Sequence, residues 1–167
     1  MKKQRRPSNK ISTHFAKRDF VCLCGKCEGA IRISLGLIGG LEMLRALSRN
    51  RINIILAYMC HDAAEKLGST KRNYYTMGIA ADITIDNMDA KDVFRIAAEI
   101  PEFKGICLNM DENFVHVDTR KAPKPILWVE HHHVTIPIDD SNRDFYLPEF
   151  QPGFLPRTES ISDLSED

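Results

Sequence analysis

The sequence predicts an α+β fold, a small, mainly antiparallel sheet flanked by helices in a single domain. Three observations predict it: leucines at helical spacing over residues 35–49, β-branched apolar runs of strand length at 52–58, 79–85, 105–110 and 113–119, and a tight turn, Asp111-Glu112, between the last two runs. A chain of 167 residues, 43% apolar and 28% charged, has room for one hydrophobic core and the balance of an ordinary globular domain.

The elements follow in chain order. Residues 1–11 form a basic arm, because no apolar run of signal-peptide length follows before the polar stretch Ser12 to Asp19. The domain is expected over residues 12–130. Leu37, Leu41, Leu44 and Leu47 share one helix face, and the Gly39-Gly40 pair lowers helix propensity while permitting close packing. INIILAY (52–58) reads as a strand, and CHDAAEKLG (60–68) as a short helix ended by Gly68. The polar, aromatic stretch 69–78 is an exposed loop leading into the strand IAADITI (79–85). Asp89 can cap a helix from Ala90 to about Ile100, with Val93, Phe94, Ala97 and Ile100 on one face and Pro101 as a stop signal. Prolines recur after Lys121, so residues 131–167 read as a Pro-rich extension ending in an acidic, disordered tail.

Composition excludes several partners. Lys+Arg and Asp+Glu each number 23, which leaves no net field to attract nucleic acid. No stretch approaches the roughly 20 continuous apolar residues that span a bilayer, the best being broken by Arg45, Arg49 and Arg51. With no export signal legible, a cytoplasmic or phage-associated location is expected. Five cysteines are an odd number, which fits a reducing compartment better than a fully paired framework.

In a strand alternate residues share a face, so Phe114, His116 and Asp118 point one way, and Ala80, Asp82 and Thr84 likewise. If the two strands are neighbours, Asp82 and His116 converge. A carboxylate and an imidazole are the start of a zinc site, although catalytic zinc takes three protein ligands and a lone pair of this kind is more often simply hydrogen-bonded.

The order of the motifs adds to this. ILAYMCHDAAEKLGSTKRNYYTMGIAADI (55–83) resembles the stretch of zinc D-Ala-D-Ala carboxypeptidases and related phage endolysins that reads Ser-Gly-Tyr-Arg, then Asn, then Ser-x-His-x-x-Gly-x-Ala-x-Asp-Ile. FVHVDTR (114–120) with Trp128 resembles the family's closing motif, and HFAKRDFVCLCG (14–25) its usual beginning. The chain is therefore similar to the zinc D-Ala-D-Ala carboxypeptidase and peptidoglycan endopeptidase family over about residues 14–128. The resemblance implies zinc held by two histidines and an aspartate, a carboxylate acting as base on the bound water, and an arginine anchoring the substrate.

Carried onto this sequence, the implied metal positions are 75, 82 and 116. Asp82 and His116 match, and Tyr75 stands where the third ligand is expected. A phenol must lose a proton of pKa about 10 before it binds a metal, whereas neutral imidazole is ready at pH 7. Met59 occupies the arginine position and cannot pair with a substrate carboxylate. Asn113 occupies the expected base position and cannot accept a proton, leaving Asp111 or Glu112 as substitutes. Tyr74, Tyr75, Met59 and Asp118 would line the substrate pocket. His61 and the run His131, His132, His133 are the histidines that could replace the missing ligand.

Cys22, Cys24 and Cys27 lie close in sequence, and with Cys60 they could hold a structural zinc. CxC-x2-C is not the paired CxxC spacing of common zinc ribbons, so a disulfide between two of them, or buried or free thiols, stay open beside zinc. Cys107, inside an apolar run, reads as plain core.

Three functions remain in play. The preferred one is a carboxypeptidase-fold domain that has lost its zinc chemistry and binds cell-wall peptide or a protein partner. The others are an active zinc peptidase with a replacement ligand, and an interaction module stapled only at its cysteines.

Overall fold

The structure, a computed structural model, describes residues 9–148. Most of the basic arm and all of the acidic tail expected from the sequence lie outside the described residues.

Helix α1 (Leu35–Ser48) begins where the Ser34 hydroxyl caps the Leu37 amide, and buries Leu37, Leu41 and Leu44 on one face. A Cβ on Gly40 would lie 2.5 Å from the Phe103 ring, while nothing stands near Gly39, so the close packing permitted by the glycine pair is realised at Gly40 alone. Strand β1 (Ile52–Leu56) leads to α2 (His61–Lys66), and β2 (Ala80–Ile85) follows the loop. The Asp89 carboxylate caps α3 (Ala90–Ala98), whose Val93, Phe94, Ile96 and Ala97 are buried. Strands β3 (Gly105–Asn109) and β4 (Phe114–Asp118) form the expected hairpin.

The sheet runs on past residue 130. Strand β5 (Ile126–His131) pairs parallel with β3, and β6 (Val134–Pro137) pairs antiparallel with β5. His132 and His133 both take positive φ (51° and 60°), the backbone of a tight two-residue hairpin turn. The prolines that suggest an extension here are compatible with strands, since Pro137 ends β6 at the sheet edge, where no neighbour requires its missing amide. A one-turn helix, α4 (Arg143–Tyr146), follows.

Among the described residues the six strands make one sheet in the order β1-β2-β4-β3-β5-β6, antiparallel except for the β3/β5 pair. Ala81, Ile83, Ile106, Leu108, Val115, Val117, Leu127 and Val129 point to one face and join the residues of α1 and α3 in the core. The alternate residues, Asp82, Cys107, His116 and Trp128 among them, are thereby assigned to the opposite face. No helix among the described residues is long and apolar enough to cross a membrane.

Candidate functional site

Register gathers the site. Asp82 on β2 pairs with His116 on β4, His116 with Cys107 on β3, and Cys107 with Trp128 on β5, one continuous row across the sheet. The loop before β2 lays Tyr75 over this row. It is shaped by reciprocal bonds between Asn73 and Thr76, and tied down where the Ile79 amide donates to the Tyr74 carbonyl and the Ser34 amide to that of Gly78.

The Tyr75 hydroxyl donates to Asp82 Oδ1 at 2.7 Å and lies 2.9 Å from His116 Nδ1, which is itself 2.8 Å from the same carboxylate oxygen. The other ring nitrogen, Nε2, is 3.2 Å from Asp118 Oδ2. Arg120 grips Asp118 through Nε at 2.8 Å and 3.0 Å, through Nη2 and through its backbone amide. Its guanidinium lies over the Tyr74 ring, 4.5 Å from the centroid, and faces Trp128 at 5.2 Å. In register Asp118 is flanked by Ala80 and Gly105. A Cβ at Gly105 would run into the Asp118 carboxylate and the Arg120 guanidinium, so only glycine leaves the pair its place.

The charges follow from this network. Burial disfavours a charged His116 ring, but hydrogen bonds to Asp118 and Asp82 outweigh it and raise the pKa to about 9. Burial likewise opposes the Asp118 charge, and the bonds from Arg120 and His116 outweigh it, holding that carboxyl at about 2. Burial, then the Asp82 charge, push Tyr75 far above its ordinary value, and burial raises the Cys107 thiol as well.

A pH dependence follows with a definite sign. The stability contributed by the His116 imidazolium is fully present below its unfolded pKa of about 6.5 and is lost as pH rises through about 9. That of Asp118 is present above its unfolded value and lost as pH falls through about 2. An NMR titration of the His116 ring should therefore give a midpoint well above 6.5, and a midpoint at or below that value would contradict the two-carboxylate setting.

Tyr75, Asp82, His116, Cys107, Phe114, Trp128 and Glu130 line a depression of about 160 Å³. Met59 is buried, 7% exposed, and is not among the residues lining it. Asp111 and Glu112 line a different hollow in the β3–β4 turn, where the Asp111 carboxylate accepts the His132 and His133 amides. Asn113 closes that turn with φ 56°, a conformation asparagine tolerates, so its identity has a backbone reason. His61 begins α2 and is exposed, and His131, His132 and His133 turn from β5 into β6; none of the four lines the depression. Arg120 and Glu130 were not singled out by the sequence. Strand alternation could have pointed to Arg120, two residues beyond Asp118, whereas Glu130 enters only through the β3/β5 pairing.

The structure also brings Cys22, Cys24, Cys27 and Cys60 together, all as free thiols with sulfurs within 4.8 Å of one another. The family model described as Peptidase M15 matches residues 13–118. No curated protein and no solved structure matches the chain.

Proposed function

Since the chain belongs to the peptidase M15 family of zinc D-Ala-D-Ala carboxypeptidase-like proteins, we propose that it is a catalytically impaired member serving as a binding or structural module for cell-wall peptide or a protein partner. The observation that carries this reading is the Tyr75 hydroxyl, hydrogen-bonded to Asp82 and His116 at the point where a metal would draw them together.

The residues at the family's metal positions do not fit a catalytic zinc. Zinc binds through deprotonated ligands. Here Tyr75, at the third position, presents a phenol whose proton is committed to Asp82, which leaves only Asp82 and His116 as ligands where catalytic zinc takes three. Cys107, the nearest thiol in the row, is held protonated by burial. On the substrate side, Met59 stands buried where the family carries a cation, and Arg120, the cation nearest the network, is already neutralised by Asp118. The depression of about 160 Å³ is smaller than the ~300 Å³ at which ligand clefts begin. It suits one inserted side chain better than a peptide backbone positioned for cleavage.

Two measurements on untagged protein test the proposal. Asp82→Ala and His116→Ala should leave the zinc content of the chain unchanged, and wild type should release no D-alanine from a peptide ending in D-Ala-D-Ala, even with zinc added. Zinc that disappears in both variants, together with D-alanine release by wild type, would restore the active-peptidase reading.

A further inference from the structure

Away from the Asp82/His116 row lies a group of four thiols that the proposed function does not use. From their arrangement we infer that Cys22, Cys24, Cys27 and Cys60 hold one structural zinc ion in an all-thiolate tetrahedral site that staples the segment before α1 to the β1–α2 junction.

The spacing carries the inference. Four sulfurs around zinc at about 2.3 Å stand about 3.8 Å apart along each edge of the tetrahedron. Here Cys24 Sγ is 3.4 Å from Cys27 Sγ and 3.7 Å from Cys60 Sγ, and all four sulfurs lie within 4.8 Å of one another. Disulfide pairing would account for two thiols at a time; it gives no reason for four to share one focus. Three of the thiols are half-buried and Cys22 is buried, so the focus is at the surface yet shielded.

The backbone around the sulfurs suits thiolates. The Lys26 amide donates to Cys24 Sγ at 3.4 Å and the Cys60 amide to Cys22 Sγ at 3.3 Å. Bonds of this kind orient ligand sulfurs and spread their charge, as outer partners do in metal sites. The loop carrying three of the cysteines is closed on itself by Cys22 N to Ala30 O and Ala30 N to Cys27 O, both 3.0 Å. Four sulfur donors in tetrahedral array select zinc or iron, and zinc requires no redox partner. On binding, each thiol gives its proton to solvent and its sulfur lone pair to the metal, so uptake is accompanied by proton release.

The segment has reason to need a staple. Between residue 9 and α1 the regular structure amounts to one 3-10 turn, Lys17–Asp19, and a single bridge between Lys10 and Ala16. Phe15 and Phe20 anchor it in the core, and the cysteines supply a second attachment, to the β1–α2 junction at Cys60.

Zinc analysis of reduced, untagged protein tests the site, with cobalt substitution and hydrogen exchange beside it. Wild type should carry one zinc per chain. Cys24→Ser and Cys60→Ser should each weaken zinc binding by more than about 100-fold, since losing even an outer partner of a ligand costs 10–100-fold. His116→Ala should retain the metal, which separates this site from the one at the sheet. Should the serine variants fail to fold, the cobalt form of wild type still reports the ligand set through the intense visible bands of a tetrahedral tetrathiolate. Chelation should speed amide exchange in the segment before α1 while leaving β2, β3 and β4 protected. A chain that takes up no zinc when reduced, a red iron-containing protein, or metal insensitive to both serine changes would overturn the inference.

Discussion

Tyr75→His is expected to create a zinc site at the sheet. The change replaces a proton donor with an imidazole that is neutral at pH 7, supplying the third ligand beside Asp82 and His116 and removing the phenol that now bonds to both. A gain in affinity above about 100-fold over wild type is expected, because a direct ligand contributes more than the outer partners whose loss costs 10–100-fold. A competitive titration with a chromogenic chelator, counting zinc beyond that held by wild type, measures it, and His116→Ala in the Tyr75→His background should abolish the extra metal. No additional zinc in the single variant would mean that position 75 is not what keeps a metal away. On the proposed reading peptidase activity is not expected to accompany the metal, since Met59 at the implied arginine position supplies no cation for a substrate carboxylate.

Asp118→Ala should be the most destabilising change in the network. The carboxylate is fully buried and stands between Arg120 and His116, so its removal leaves two cations facing each other without their shared anion. Removing one partner of a buried pair costs about 3–5 kcal/mol, a large part of the stability of a domain this size. Urea denaturation gives the loss, and the His116 ring midpoint should fall toward its ordinary value in the same variant. A loss below about 1 kcal/mol, the worth of an exposed pair, would show that water reaches Asp118.

The fold and half of the site are legible in the sequence for one reason: both depend on local periodicity. The leucine spacing of α1, the Asp89 cap and the alternation of β2 and β4 are short-range signals, and that alternation places Asp82 and His116 on like faces before any coordinates are known. What escapes depends on pairings between distant strands. Cys107 reads as core because its run is apolar, and it is buried, but on the sheet face that carries Asp82 and His116, which the apolar run alone does not show. Glu130 and the β5–β6 hairpin are hidden by a Pro-rich composition that resembles an extension. The cysteines are legible for a different reason: three lie close in sequence and Cys60 follows a strand, so the sequence offers the set of four, and the fold brings their sulfurs within 4.8 Å of one another.

The Asp82–His116–Cys107–Trp128 row also bears on how the chain finds its pairing. Sliding β4 by one residue against β2 would exchange its two faces, driving His116 and Asp118 among Ile83, Phe94 and Leu108 and turning Val115 and Val117 outward. Apolar strands alone would tolerate such slippage at modest cost, but a charged ring and a carboxylate forced into a dry core would not. The polar residues of this row would then act as a proofreading device, rejecting misaligned sheets during folding independently of any metal or substrate.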